Sequence, residues 1–459
     1  MHQITLLAEH PQLLDQNFLA SDLGYLYLSI PWDDLASDIH PPPSSVSGLG
    51  RKPWFDVRGG IALQILKHLF QLSDAKLIDR INTDWAMQMF CGIQLRAGQK
   101  IKDHDLPSDW RVYLGQYMNI GKAQHSLAKH WKPHMQQTQT ASTDATCYES
   151  YIEYPTDVKL IWKSCTELYS RIQQVRKANK LRPSRMHYAK RKNEFTGYQK
   201  TRKKTRKAEK KLRKKLLKFL ARIIEQFNDL VNKYHVTFSR KKQKRIAAVM
   251  TVYRQQHDKA YGIIEKIEDR IVNIAKSYIR PIVRGKEVKQ VEFGAKLNKL
   301  QVDGINFIEH LSYDAFNEGT HLQSTIWLHQ DYFGKCSQVS ADKIYATNAN
   351  RKYCKLKSIV TNFQPKGRQK EEHIQQAALM KQLLDKERNT RLEGSFGNEK
   401  NHYLLKKVNA RTKNTETVWI FFGIHTANAV NIAKRMEAEE RKKEQQHPQP
   451  PELPMKKVA

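Results

Sequence analysis

The sequence predicts an α/β protein in which a mixed sheet with flanking helices follows an all-α N-terminal domain and is interrupted by a basic helical insertion. Three observations predict this organisation. Residues 1 to about 135 carry apolar side chains at helical spacing. Several later segments are rich in β-branched and aromatic residues and are bounded by turn signals. A helical stretch from about 160 to 280, unusually rich in Lys and Arg, separates the first strand from the others.

The N-terminal domain is predicted to span residues 1–135, with a break of Pro, Ser and Gly residues at 41–50. After the break, apolar residues recur at helical spacing at Ile61, Ile65, Leu66, Leu69 and Phe70. Ser73 can cap a second helix that carries Leu77, Ile78 and Ile81. Two helices joined this closely could form a helix-turn-helix that enters a DNA groove. They could equally form a packing or dimerisation domain, and the pattern alone does not decide.

Strand signals mark the predicted sheet. The first strand is expected at 144–154, where it is ended by Pro155. A second, at 291–298, alternates apolar and polar residues, and Asp303-Gly304 predicts a tight hairpin turn into a third. The remaining segments are predicted as a strand at 305–311, a helix at 320–333, a strand ending at Asp342, a strand at 359–363, a mobile loop at 365–369, helices at 371–407 and 416–435, and a disordered tail at 436–459.

The charge of the chain points to a polyanionic partner. Its 79 Lys and Arg outnumber 46 Asp and Glu, giving a formal net charge of +33. Residues 171–222 alone hold 22 Lys and Arg against only two acids, Glu194 and Glu209. Cations that neutralise phosphates release condensed counterions, so nucleic acid is the leading expected partner and an acidic membrane surface is second. A merely basic protein without such a partner is the alternative reading.

Several function classes are disfavoured. The five cysteines form no CxxC pair, so neither a disulfide framework nor a zinc site is expected, and a reducing cytoplasm is the expected location. The most apolar run, at 418–424, is far shorter than the roughly 20 residues that cross a bilayer. The N-terminus does not resemble a signal peptide. No GxxxxGK[ST] motif supports ATP-driven chemistry.

Three acids fit a site that cuts or joins phosphodiesters. Such chemistry commonly uses two divalent cations about 4 Å apart, held by a few carboxylates with open positions for water and substrate. Asp144 lies within the first strand, Asp342 ends a later strand, and Glu393 lies on a helix. Asp157 and Asp303 have simpler explanations, as a helix start and as a turn residue. Spacing alone does not select three acids from 46.

Four ordered blocks of the sequence resemble the DDE transposases of bacterial insertion sequences. The blocks are Asp144-Ala-Thr with Tyr154-Pro-Thr-Asp157; Arg280-Pro-Ile-Val-Arg-Gly-Lys286 with Val291-Glu-Phe-Gly-Ala-Lys296; Ala341-Asp-Lys-Ile-Tyr345 with Asn350-Arg-Lys-Tyr-Cys354; and Arg391-Leu-Glu-Gly-Ser-Phe-Gly397 with Lys400. The segment from Arg58 to Leu95 resembles the helical domain that precedes the catalytic domain in this group. The resemblance covers nearly the whole chain outside the extreme tail.

The resemblance implies a ribonuclease-H-like catalytic fold in which Asp144, Asp342 and Glu393 bind two Mg²⁺ or Mn²⁺ ions. It also implies that Lys400 contacts DNA phosphate near the cut, since seven residues separate it from Glu393 on the same helix face. Arg388 or Arg391 would do the same from the other side. The signature of related elements places an Arg four positions before the Glu, and here that position holds Asn389.

The implied domains are a catalytic domain at 136–165 and 280–435 and an insertion at 166–279. The insertion is expected to bind DNA along its backbone through residues that include Lys203, Lys204, Arg206 and Lys207. The implied function is hydrolysis at the ends of an insertion sequence followed by transfer of the 3′-hydroxyl into target DNA. A homodimer on double-stranded DNA, at the terminal inverted repeats and the target, is expected. The alternative is a non-catalytic DNA-binding protein derived from a decayed transposase.

Overall fold

The computed structural model describes residues 11–41, 53–283, 291–366 and 371–446. Six strands form one sheet: β1 Thr140–Glu149, β2 Pro281–Val283, β3 Val291–Val302, β4 Ile305–Ser312, β5 Gln338–Ala341 and β6 Val360–Thr361. In the described part of the chain, eight α-helices precede β1: α1 Pro11–Leu19, α2 Asp22–Leu28, α3 Trp32–Ser37, α4 Val57–Phe70, α5 Asp74–Ile81, α6 Trp85–Phe90, α7 Leu106–Tyr117 and α8 Ile120–Trp131. The predicted break at 41–50 lies, beyond its first residue, outside the described residues.

Nine further α-helices follow β1 in the described part of the chain. They are α9 Asp157–Ala178, α10 Tyr188–Lys200, α11 Arg206–Tyr234, α12 Arg240–Tyr261, α13 Leu322–Phe333, α14 Asn348–Leu356, α15 Glu371–Glu387, α16 Glu393–His402 and α17 Lys413–Gln446. A π-helical turn, Arg388–Leu392, joins α15 to α16. Short 3₁₀ turns lie at Lys132–His134, Glu318–His321 and Lys343–Tyr345. The predicted loop at 365–369 lies mostly outside the described residues.

The sheet has the order β2-β3-β1-β5-β6, with β4 also paired to β3. Strands β1, β5 and β6 are parallel to one another, whereas β2 is antiparallel to β3. The β3–β4 hairpin turns at Asp303 and Gly304, both of which have positive φ, as the two central residues of a type I′ turn require. A mixed sheet with flanking helices and a helical N-terminal region confirms the predicted fold class, and this architecture is consistent with a ribonuclease-H-like domain.

Strand β1 begins at Thr140 and ends at Glu149, so the predicted bounds of 144–154 were wrong at both ends. The strand is central, and its small polar residues are buried because they have hydrogen-bond partners: Thr143 Oγ1 donates to the carbonyl of Lys299 at 2.8 Å. Polarity therefore concealed the start of the strand. Tyr151 and Tyr154, whose aromatic character suggested a strand, lie beyond its end and are about two-thirds exposed.

Residues 1–149, 296–311 and 316–459 form one compact unit. In its described part, helix α4 is buried from Gly59 to His68, and α17 packs against α2, α4 and α7. Lys67 and Arg111 both lie over the ring of Trp419 on α17, at 5.1 and 4.8 Å. The predicted cap is present, because Ser73 Oγ accepts from the backbone N–H of Lys76. Helix α4 therefore packs in the core of the unit, and both interpretations of the α4–α5 pair, as a packing element and as a groove-binding element, stay predictions.

Residues 150–295 and 312–315 form the second unit, whose core is helical. Helix α9 packs along α11 and α12 through a shared apolar cluster. Helix α11 contributes an apolar stripe to this cluster, with Leu216, Leu220 and Ile223 fully buried. Beside this core Asp157 accepts hydrogen bonds from Arg270 at 2.7 Å and from Gln256 at 3.2 Å. Asp157 therefore does more than begin helix α9: it joins the helices of the unit.

The C-terminal helix α17 continues to Gln446, so the disorder predicted from residue 436 was wrong as far as 446. Glu439 and Glu440 hydrogen-bond to His134 and Tyr25, which gives this charged turn fixed partners. Residues 447–459 lie outside the described part. Within the described part, no helix is both long and apolar enough to cross a membrane.

Candidate active site

Two of the three predicted acids directly follow a pair of residues that face each other on neighbouring strands. The parallel pairing of β1 with β5 sets Thr143 opposite Ala341, and Asp144 and Asp342 are the next residue of each chain segment. Adjacent strands lie about 4.8 Å apart, so the register brings the two aspartate backbones side by side. Asp342 precedes a 3₁₀ turn but makes no side-chain capping bond to it, which leaves its carboxylate available to a ligand.

The environment of Asp144 favours a bound cation. The pKa of this carboxyl is raised to about 6: burial is the main cause, and the negative charges of Glu318 and Asp342 add to the rise, while the N–H of Ala145 and the charge of Arg388 oppose it. Three acids are therefore close enough to repel one another. A positive charge placed among them would relieve both the repulsion and the cost of burying Asp144.

The π-helical turn brings Arg388 and Glu393 together. In this turn the N–H of Glu393 donates to the carbonyl of Arg388, five residues earlier, rather than to the carbonyl four residues earlier as in an α-helix. The extra residue places Arg388 over Glu393, with Arg388 Nη1 at 3.2 Å from Glu393 Oε1 and 3.5 Å from Asp144 Oδ2. The Arg388 guanidinium thus links two of the predicted acids, although the regular spacing of the signature points to Asn389.

Lys400 lies along the same face of β1 as Asp144. Its Nζ donates to Thr146 Oγ1 at 3.0 Å and lies 5.7 Å from the Tyr148 ring. Residues 144, 146 and 148 share one face of the strand because side chains alternate. Arg391 is directed elsewhere: it pairs with Asp303 of the hairpin turn and with Glu387. The structure therefore brings Arg388 and Lys400 to the acids, and Arg391 to the β3–β4 turn.

A fully buried ion pair lies beneath this face. Lys299 on β3 and Glu399 on α16 are both inaccessible to solvent, with Nζ 2.5 and 2.6 Å from the two carboxylate oxygens. Tyr148 Oη also donates to Glu399, and Asn306 Nδ2 donates to it at 3.2 Å. Because Glu399 precedes Lys400 and follows Glu393 by six residues, the pair fixes the rotation of α16. That rotation sets which side chains α16 presents to β1.

Glu318 is a member of the acidic group that the sequence did not reveal. It lies in the 3₁₀ turn before α13, and Lys296 of β3 pairs with it at 2.7 Å. Lys296 also donates to the carbonyl of Phe316, so it holds the loop that carries Glu318. The only sequence signal was the position of Lys296 at the end of the second resembling block, and this did not identify its partner.

The donor set suits a hard divalent cation, because every candidate ligand is a carboxylate oxygen. Among the described residues no three His, Cys, Asp or Glu side chains are already drawn into one closed metal cluster. Instead, Arg388 occupies the position of a cation between Asp144 and Glu393. The residues therefore fit a magnesium site by their chemistry and charge. The guanidinium of Arg388 provides positive charge between these acids in the structure.

The basic residues predicted in the insertion are exposed. Lys203 and Lys204 lie in the loop between α10 and α11, and Arg206 and Lys207 begin α11, where Thr205 caps the helix through its side chain. Lys204 lies 5.8 Å from the ring of Tyr198 and donates to the carbonyl of Thr201. From Leu212 onward α11 enters the core of the unit. The charged segment is thus the solvent-facing start of a packed helix.

Two family models match the chain. A transposase DDE domain matches residues 339–426, which include Asp342, Arg388, Glu393 and Lys400 but not Asp144. A transposase domain matches residues 12–112 of the helical N-terminal region. No curated protein and no solved structure matches the chain. Transposases of this kind act on DNA and generally use divalent metals. The two matches lie in the order that the N-terminal segment and the later sequence blocks imply, and together they support a DDE transposase of the insertion-sequence type.

Proposed function

We propose that this transposase hydrolyses a phosphodiester at each end of its insertion sequence and transfers the freed 3′-hydroxyl into target DNA. Asp144, Asp342 and Glu393 would hold two Mg²⁺ or Mn²⁺ ions. The observation that carries the proposal is the parallel register of β1 and β5, since it sets Asp144 beside Asp342. Arg388 then connects Asp144 to Glu393.

The metal ions and the protein side chains would have different roles in the reaction. Bound divalent cations would help to activate the attacking oxygen and would stabilise the leaving oxygen. The protein supplies a cluster of carboxylates in which Asp144 is largely buried, whereas Asp342 and Glu393 are exposed. Arg388 and Lys400 flank Asp144 and can bind the phosphates on either side of the scissile bond, where Arg offers a planar fork of donors and Lys a point charge. Cations held by these acids would replace Arg388 as their counter-charge, which would leave Arg388 able to contact DNA phosphate.

The insertion is proposed to bind DNA along its backbone. Lys203, Lys204, Arg206 and Lys207 are exposed on one short segment and can each neutralise a phosphate. A homodimer on the DNA is proposed because two ends must be joined to one target. Terminal inverted repeats are the expected end sequences.

Cleavage of DNA that carries the flanking inverted repeats tests the catalytic proposal. The protein should nick this DNA with Mg²⁺ and not with EDTA. Asp144→Asn and Glu393→Gln should each abolish nicking while leaving DNA binding in EDTA intact. Asp331→Asn is the matched control, because Asp331 is an exposed acid on α13 whose ion pair is with the exposed His125. Metal-independent nicking, or full activity in Asp144→Asn, would refute the assignment; binding without any nicking would favour the decayed transposase.

The salt dependence of binding tests the role of the insertion. Changing Lys203, Lys204, Arg206 and Lys207 together to Gln should weaken binding and lower the slope of log K against log salt by about 3 to 4, near 0.9 per phosphate contact. Exchanging Lys for Arg and Arg for Lys at the same positions keeps the charge and should keep the slope. These substitutions are preferable to deleting residues 199–215, because Leu212 belongs to the buried core. An unchanged slope in the Gln variant would exclude these residues from the interface.

A further inference from the structure

Trp327 on α13 is exposed to solvent. About 58% of its surface is accessible. Its indole Nε1 donates to Tyr353 Oη on α14 at 2.9 Å, which holds the ring in one orientation. Tyr332 and Phe333, later on the same helix, are buried, so Trp327 is the exposed aromatic residue among these three. A large aromatic ring is thus presented to solvent and oriented by a neighbour.

The segment beside this ring is basic without any acid. Residues 343–357 contain Lys343, Arg351, Lys352, Lys355 and Lys357 and no Asp or Glu. Four of the five, all but Arg351, are exposed, and the ion pairs of the described residues include none of them. Lys352, Lys355 and Leu356 share one face of α14, because residues three and four apart lie together on a helix. Tyr353 adjoins that face.

This basic segment begins directly after Asp342. The 3₁₀ turn Lys343–Tyr345 packs against the turn Glu318–His321, where the position of Gly319 leaves no room for a side chain: a Cβ there would lie 2.5 Å from the carbonyl of Ile344. The cations are therefore attached rigidly to the acidic group of Asp342 and Glu318. A DNA strand bound at those acids would continue onto this surface.

We propose that Trp327, Lys343, Lys352, Tyr353 and Lys355, the Trp327 surface, bind DNA with unpaired bases next to the cut. The inference rests on the proposed function for the location of the cut. The lysines contact phosphates, and the indole stacks on a base that is not held in a duplex. Aromatic stacking of this kind tolerates every base and depends on the base being free. Five like charges in fifteen residues oppose pairing of this surface with a second copy of itself.

Fluorescence anisotropy of the full-length protein in EDTA tests the surface without requiring cleavage. The probes are a labelled blunt duplex and the same duplex with a single-stranded oligo-dT extension. The wild type should bind the extended duplex more tightly, and Trp327→Ala should reduce that preference by roughly tenfold while leaving blunt binding unchanged. Trp327→Phe should retain most of the preference. Trp85→Ala is the matched control, since Trp85 is another exposed tryptophan, 48% accessible, on α6.

The lysines give a second, independent measurement. The double variant Lys352→Gln, Lys355→Gln should weaken binding of the extended duplex. The slope of log K against log salt should fall by about 1.4, since each phosphate contact with a single strand contributes about 0.7. Far-UV circular dichroism should show each variant folded. The proposal is overturned if Trp327→Ala behaves like Trp85→Ala, if the wild type has no preference for the extension, or if Trp327→Ala changes only the oligomeric state. Because no metal is present, these results do not depend on whether the acids cut DNA.

Discussion

Replacing Glu399 with Gln should destabilise the protein much more than the same replacement at Glu393, although both residues lie on α16. Glu399 and Lys299 are fully buried and paired, whereas the Glu393 side chain is 51% exposed. Removing one partner of a buried pair leaves an uncompensated charge and typically costs about 3–5 kcal/mol. An exposed pair such as Arg388–Glu393 contributes about 0–1 kcal/mol. Over a unit of roughly 300 residues, the larger cost lowers Tm by about 5–8 °C.

One additional variant and a change of pH separate the loss of charge pairing from a change in packing. Adding Lys299→Met to Glu399→Gln removes the stranded cation and should recover most of the lost Tm, because the introduced amide oxygen can still accept from Tyr148. Burial lowers the pKa of Lys299, and the paired Glu399 opposes this effect. Without Glu399 the lysine is more easily deprotonated. Since the unfolded chain then binds more protons than the folded one, raising the pH from about 7 to about 9 should stabilise Glu399→Gln relative to the wild type.

Differential scanning calorimetry in EDTA measures these effects. Equal Tm values for Glu399→Gln and Glu393→Gln would refute the reasoning, as would a double variant that is less stable than Glu399→Gln. Nicking activity provides the complementary measurement. Glu393→Gln should be stable and inactive, whereas any activity lost in Glu399→Gln should follow the fraction unfolded or a misplaced α16.

Three further predictions concern the other charged groups. Burial raises the pKa of Asp157, but the charges of Arg270, Lys259 and Arg213 outweigh burial and lower the pKa overall. Asp157→Asn should therefore lower the free energy of unfolding by about 2–4 kcal/mol at pH 7 and by progressively less below about pH 4, as measured by thermal unfolding. Burial raises the pKa of Asp144 to about 6, so Asp144→Asn should stabilise the metal-free protein by up to about 3 kcal/mol above pH 6, with no gain near pH 4; a gain that persists in acid would contradict this. Deleting Asn389 should convert the π-turn to regular helix and keep Arg388 on the face of Glu393, so nicking should be preserved. A loss of activity equal to that of Arg388→Ala would show that the π-turn itself is required.

The sequence predicted those features whose physical cause is local. Asp303-Gly304 predicted the hairpin because only a few residue types accept two successive positive φ angles. Ser73 predicted the helix start because its hydroxyl can satisfy a free N–H. The strand predicted to end at Asp342 was also located, since β5 ends at Ala341 and a 3₁₀ turn follows.

The features missed depend on neighbours that are distant in the chain. Thr140 and Ser142 belong to a strand only because β5 pairs with them, and nothing in their own segment marks them as sheet residues. Glu318 joins the acids through Lys296, a partner on another strand. Arg388 reaches Asp144 through a π-turn, a one-residue irregularity that a regular spacing rule cannot anticipate. The assignment of Asp144 as a metal ligand stays a prediction.

The pairing of Thr140 with Gln338 has a consequence for synthesis of the protein on the ribosome. The central strand emerges early, and its parallel partner emerges only after the whole basic insertion has been made. Contacts between residues so distant in the sequence form slowly, because closing the long loop between them costs conformational entropy before the contacts can stabilise the fold. A nascent chain therefore exposes the lysines of the insertion well before Glu393 emerges, and on the proposed function it would complete its set of acids only when translation is almost finished.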